Sequence, residues 1–144
     1  MKIKLIESYY NQETGISYAK INTDYGEFEG YAKLHEEDKE IASKYAGCQY
    51  AETRAVLKYM RNRIKILTYQ IKALINYQKQ IKCRMDYNPH TIENKVLKKQ
   101  IYILRAEKAD WQSRYDSLHS KLHFAITNRQ KVVEKMIADS KKGD

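Results

Sequence analysis

The stretch Leu57-Lys-Tyr-Met-Arg-Asn-Arg-Ile-Lys-Ile-Leu-Thr-Tyr-Gln-Ile-Lys-Ala-Leu74 decides the architecture. Its apolar residues Leu57, Met60, Ile64, Leu67, Ile71 and Leu74 stand alternately three and four apart, and Gln78, Ile81 and Met85 continue the series. A helix with that spacing carries one apolar seam, which a seven-residue repeat keeps facing a partner helix. The spacing returns in Leu97, Ile101, Leu104, Lys108, Trp111, Tyr115, Leu118, Leu122, Ala125, Arg129, Val132 and Met136. Between the seams lies Asp86-Tyr-Asn-Pro-His90, which holds the sole proline. Asn88 suits a helix N-cap and Pro89 the first helical position, where a missing N–H costs nothing. Two seams joined by so short a turn predict an antiparallel coiled-coil hairpin over residues 48–144, turning near 86–90. A register that sets Leu57 opposite Leu118, Ile64 opposite Trp111 and Leu74 opposite Ile101 matches seam to seam. Lys108 then faces Leu67 and Gln78 faces Leu97, lone polar residues of the kind that fix register at some cost in stability.

Working outward toward the N-terminus, the pattern changes to β-structure. Lys2 to Tyr10, Ile16 to Asn22 and Glu27 to Leu34 are rich in Ile and Tyr, and turn residues at Asn11–Gly15 and Thr23–Gly26 separate them. This is the pattern of a three-stranded antiparallel meander. A sheet so small must pack one face against something else. From His35 to Gly47 a short helix is expected, with acids in its first turn and glycine as its stop. The cluster Glu36, Glu37, Asp38 and Glu40 fits the helix dipole better than a metal site. The expected fold is therefore α+β and mostly α. Residues 1–47 form the meander and short helix, residues 48–144 form the hairpin, and the two pack as one structural unit. The second helix outruns the first, so Val132, Val133, Met136 and Ile137 are expected on Ile41 and Tyr45.

Charge is unevenly placed. The chain has 27 Lys and Arg against 18 Asp and Glu, a net of +9. Residues 1–47 are net acidic, whereas Arg54 to Arg84 contains nine basic residues and no acidic one. An ordinary solvated helix mixes its signs, because Glu and Lys four apart stabilise it. A helix of one sign repels itself and favours an anionic partner. Lys58, Lys65, Lys72 and Lys79 recur every seven residues, which spaces them roughly 10 Å apart along a helix. Arg54, Arg61, Arg63, Lys82 and Arg84 surround them, and Tyr59, Tyr69 and Tyr77 are interleaved. Lysines neutralise phosphates with release of counterions, and tyrosines stack on unpaired bases. Arg54, Lys58, Tyr59, Arg61, Lys65, Tyr69, Lys72 and Lys79 are thus the candidate surface for nucleic acid, a nucleoprotein or an acidic protein. The same row is also the outer position of a coiled coil, where lysines aid solubility. No zinc finger, helix-turn-helix turn or RNA-recognition aromatic motif accompanies it.

Val56, Ile66, Ile75, Ile103, Phe124 and Ile126 flank the seams and widen the apolar stripe beyond a two-helix contact. A second copy of the chain, as a homodimer, or the small sheet would cover that width. This feature carries the alternative function, a coiled-coil assembly or scaffold protein acting through protein–protein contacts.

Other constellations point away from chemistry. Asp116, His119 and His123 share a helix face, as zinc ligands can, but no cysteine joins them at a diagnostic spacing. Exposed histidines on a polar face explain them better. Cys48 stands near a helix start without a histidine partner, and reads as a small buried hydrophobe. Five glycines form no phosphate loop. No nucleophile stands with a base, so no enzyme activity, cofactor, metal or small-molecule substrate is expected. Two cysteines without paired spacing fit a reducing compartment, and no stretch is apolar enough for a signal peptide or a membrane span. The expected location is the cytoplasm.

Gly26-Glu-Phe-Glu-Gly-Tyr-Ala-Lys-Leu-His-Glu-Glu-Asp-Lys39 and Tyr45-Ala-Gly-Cys-Gln-Tyr-Ala-Glu-Thr-Arg-Ala-Val-Leu-Lys-Tyr-Met-Arg61 resemble small accessory proteins encoded in phages and prophages of Gram-positive bacteria. The resemblance covers roughly Gly26 to Lys65. It implies a non-enzymatic protein working in the cytoplasm of the infected host. Some proteins of that kind inhibit host defences, including CRISPR effectors. The basic charge here departs from the acidic DNA mimicry common among such inhibitors, which implies a grip on nucleic acid or an acidic surface instead.

Overall fold

Asn11 and Thr23 start the two turns that fold the N-terminal residues. The Asn11 Oδ1 accepts hydrogen bonds from the backbone N–H of Glu13 (2.9 Å) and of Thr14 (3.4 Å), and Gly15 closes the turn at φ 71°. The Thr23 hydroxyl donates to the Gly26 carbonyl at 2.8 Å and accepts from the Tyr25 N–H at 3.2 Å. Gly26, at φ 112°, takes a conformation that side chains disfavour. In the computed structural model, which describes residues 2–33 and 44–142, these turns join β1 (Ile3–Asn11), β2 (Ile16–Thr23) and β3 (Gly26–Lys33). The sheet is antiparallel, in the order β1-β2-β3. The β1–β2 register shifts between Leu5 and Glu7, which leaves Ile6 as a bulge on an edge strand.

Two helices follow, α1 (Lys44–Lys82) and α2 (Ile92–Lys142), so the chain is mostly helical. The short helix expected over 35–47 lies largely outside the described residues. Its proposed stop is corrected, because α1 already runs at Lys44 and passes through Gly47 without a break. The glycine serves close approach instead, since a Cβ there would overlap the Ser17 Oγ on β2. Ile41 lies outside the described residues, as do the side chains of Tyr45, Val132, Val133, Met136 and Ile137, and so do the contacts expected between them.

The start of the second helix is corrected too. Thr91, rather than Asn88, is the cap: its hydroxyl accepts from the Asn94 N–H (3.3 Å), and its carbonyl accepts from the Lys95 N–H (3.0 Å). Asn88 holds the preceding turn, where its Oδ1 accepts from the His90 N–H at 2.9 Å and its carbonyl from the Asn94 amide at 2.6 Å. Thr91→Ala is expected to cost about 1 kcal/mol of stability, the usual worth of a threonine cap. Urea unfolding monitored by circular dichroism measures it, and an unchanged midpoint would remove the cap assignment. Met85, placed in the seam by its spacing, is fully exposed, because α1 ends at Lys82.

The chain forms two compact units, residues 1–59 with 116–144, and residues 60–115. In the first, Gly47, Ala51, Ala55 and Tyr59 stand four apart on α1 and make one ridge. A Cβ on Gly30 of β3 would overlap the backbone of Ala51 and Ala55, so helix and strand meet almost main chain to main chain. Ala19, Ala32 and Ala51 cluster there, with Tyr50 packed against them. Tyr59 ends the ridge, buried with its ring centroid 5.5 Å from Phe28 and 6.4 Å from Tyr25.

In the second unit, Met60, Leu67, Ile71, Leu97, Ile101 and Trp111 are buried, all of them positions of the two seams. Arg61 meets Tyr115, Arg63 meets Trp111 and Glu107, and Gln70 and Leu74 share a groove with Gln100 and Leu104.

Candidate functional site

The expected surface residues part company on α1. Lys65, Lys72 and Lys79 are exposed within residues 60–115, and Tyr69 beside them is 61% exposed. Among the described residues, none of these three lysines pairs with a carboxylate. Arg54 and Lys58 are exposed too, but they belong to the other unit and turn to β3. The Arg54 Nη1 donates to the Tyr31 carbonyl at 2.7 Å, and the Lys58 Nζ stands 5.9 Å above the Tyr31 ring. They cover a sheet edge, a task that fits basic side chains. Tyr59 is corrected: at 1% exposed, it is in the interior and offers no ring to a ligand.

Arg61, Arg63 and Arg114 also have structural work. The Arg61 Nη2 donates to the Tyr115 hydroxyl at 2.6 Å, with the guanidinium 5.6 Å from that ring. Arg63 is buried, 5.9 Å over Trp111 and 3.6 Å from the Glu107 carboxylate. Arg114 lies 5.7 Å from the same indole and 3.1 Å from Asp110. Guanidinium groups suit such places because they stack on aromatic faces and are weakly hydrated. Lysine ammoniums stay in water, and Lys65, Lys72 and Lys79 are exposed beside the exposed Arg84 and Arg105 of the same unit.

Residues 60–115 hold thirteen Lys and Arg against four Asp and Glu. The excess equals the net charge of the whole chain, so the other unit is balanced. A charge confined in this way creates a local positive field able to attract polyanions. No protein-family model, curated protein or solved structure matches this chain. The site must be read from its own chemistry.

Several features escaped the sequence pattern. A groove of about 490 Å³ runs between Gln70, Ala73 and Leu74 of α1 and Gln100, Ile103 and Leu104 of α2. Ile103 and Tyr102 beside it are 51% and 73% exposed. The widened apolar stripe was a signal for Ile103, but nothing singled out the two glutamines. Among the described residues, no group of three His, Cys, Asp or Glu side chains could hold a metal ion, so Asp116, His119 and His123 do not converge on one. Nor is any described helix long and apolar enough to cross a membrane.

On the sheet, strand register sets Tyr9, Tyr18 and Tyr31 in a row, with ring centroids 4.9 and 5.1 Å apart. Burial pushes the Tyr18 hydroxyl up to about 12, and the hydrogen bond and charge of Glu29 add to the shift. Burial and Glu29 raise Tyr31 as well. An unfolded chain ionises its tyrosines near pH 10. The fold resists that ionisation, so the stabilisation is complete below about pH 10 and is lost as pH rises toward 12. Lys20, raised by its hydrogen bond and 2.9 Å ion pair with Glu27, loses stabilisation in the same direction. Thermal melts from about pH 9 to about pH 12, a range that brackets the ordinary tyrosine value, are expected to show falling stability, less steeply in Tyr18→Phe. An identical slope in that variant would remove Tyr18 as a source.

Proposed function

We propose that this chain is a non-enzymatic binding protein of the phage and prophage accessory kind. In this reading it acts in the bacterial cytoplasm, engages nucleic acid or a nucleoprotein through residues 60–115, and thereby blocks a host defence. The observation that carries the reading is the exposed row Lys65, Lys72 and Lys79, without a carboxylate partner among the described residues, in the unit that holds all the net charge. An ordinary helix of this length would interleave acids for its own stability. The reading takes α1 and α2 as an antiparallel coiled-coil hairpin, a stiff rod that holds the row straight. Burial of seam positions and the pairings Arg61 with Tyr115 and Arg63 with Trp111 support it. The free cysteines Cys48 and Cys83 fit a reducing cytoplasm.

The second reading is a coiled-coil assembly or scaffold protein, favoured by the exposure of Phe124 (67%). Phe124 lies in the charge-balanced unit, where a second copy would meet no net repulsion, and a homodimer fits there. Pulldowns from a bacterial lysate with and without nuclease separate the readings. Nucleic acid recovered with the bait, and lost together with its protein companions after nuclease, supports the first. A catch free of nucleic acid and indifferent to nuclease favours the second.

A further inference from the structure

We infer that the exposed edge of β1 pairs antiparallel with β1 of a second copy, so that each Lys4 meets the other copy's Glu7. The two edges of the sheet differ. Arg54 and Lys58 cover the edge at β3. At the β1 edge Lys4 to Tyr9 are exposed without interruption, including Leu5 at 43% and Ile6 at 49%. An edge strand offers a row of backbone N–H and C=O groups to a further strand. Covering its apolar side chains adds to the gain.

Register selects the partner. Ser17 and Ala19 of β2 face α1, so Tyr18, Lys20 and Asn22 point to the opposite face. Across from them on β1 stand Tyr9, Glu7 and Lys4, which therefore share that face. In a regular strand, residues three apart point to opposite faces. The bulge at Ile6 is what brings Lys4 and Glu7 to the same one. Turned about a two-fold axis between Leu5 and Ile6, β1 then matches itself. Lys4 comes opposite Glu7 and Glu7 opposite Lys4, with Leu5 and Ile6 meeting between them. Lys2 comes opposite Tyr9, and another tyrosine of that row, Tyr31, already lies 5.9 Å under the Lys58 ammonium.

Opposite charges directly across a strand pair stabilise it, and like charges destabilise it. A strand of unrelated sequence would meet this edge through its backbone alone, whereas β1 supplies both charges to itself. Among the described residues, Lys4 and Glu7 make no ion pair within the chain. Bulges and lysines ordinarily guard an edge against indiscriminate pairing, and here their placement favours one register. The unit that holds β1 is balanced in charge, so two copies meet there without net repulsion.

Sedimentation velocity of the full chain, freed of nucleic acid and followed over a wide range of concentration, tests this. A monomer–dimer equilibrium is expected. Lys4→Glu or Glu7→Lys alone sets like charges across the axis twice, and each is expected to weaken the dimer about tenfold. Combining Lys4→Glu with Glu7→Lys is expected to restore the parent affinity, with thermal melting as the check that each variant folds. Hydrogen exchange on the unaltered chain reads the contact without a variant. Amides of β1 should slow as concentration rises through the dimer range, while those of β3 stay constant. A chain monomeric at every concentration overturns the pairing. So does a dimer indifferent to both single variants, or one lost in Phe124→Ser while β1 exchange never changes, which places the interface on α2. Amides of β1 that slow only when bacterial lysate is added assign the edge to a foreign strand and overturn self-pairing. None of these results bears on the lysine row of residues 60–115.

Discussion

Replacing Lys65, Lys72 and Lys79 together with glutamine is expected to weaken binding to random-sequence nucleic acid by about 100-fold near physiological salt. The slope of log affinity against log salt should fall by about 2–3, since each neutralised phosphate contributes roughly 0.7–0.9. The size of the effect follows from the position of the charges. These lysines are exposed and no described carboxylate neutralises them, so each is available to displace a counterion. Lysine and glutamine have similar helix propensities, and thermal melting should therefore barely change. Lys20 provides the control, because it is already paired with Glu27 in the balanced unit. Lys20→Gln should leave the salt slope untouched. A triple variant that binds as tightly as the parent, with the same slope, would leave solubility as the role of the row.

The second large effect separates two tyrosines that look alike in the sequence. Tyr59→Ala is expected to destabilise the fold by about 3–5 kcal/mol, the usual cost of truncating a buried aromatic to alanine. The ring fills the end of the helix–sheet contact, against Phe28 and Tyr25. Tyr69→Ala should leave stability within about 0.5 kcal/mol, as at ordinary exposed sites, and should act on nucleic-acid affinity instead. Chemical denaturation and a binding isotherm on each variant measure both quantities. If the effects were exchanged, the unit formed by α1 with the sheet would be wrongly drawn.

The features legible in the sequence were those set by local chemistry. Strand ends were readable because Asn11 and Thr23 turn the chain with their own side chains, and the buried positions of the helices because spacing alone selects Leu67, Ile71, Leu97 and Ile101. What stayed hidden depends on contacts distant in the chain. Gly47 looks like a helix stop until β2 is placed against it, and then its missing Cβ is what Ser17 requires. Tyr59 and Tyr69 sit on the same helix, and only the turn residue Tyr25 and Phe28 of β3 decide which one is covered. Arg63 counts as surface charge until Trp111 is placed beneath it. Asn88 before proline is a reasonable cap, yet Thr91 wins because Asn88 spends its side chain on the preceding turn. Of the candidate surface, Lys65, Tyr69, Lys72 and Lys79 remain as a group. Arg54 and Lys58 serve the sheet edge, Arg61 serves Tyr115, and Tyr59 is interior.

The central claim is that the positive excess of residues 60–115 is a nucleic-acid surface. Lysine-reactivity footprinting by mass spectrometry, on the full chain with and without single-stranded nucleic acid at low salt, addresses it most directly. Protection concentrated at Lys65, Lys72 and Lys79, with Lys20 unchanged, is the expected pattern. Unaltered reactivity at those three lysines under saturating nucleic acid would contradict the account.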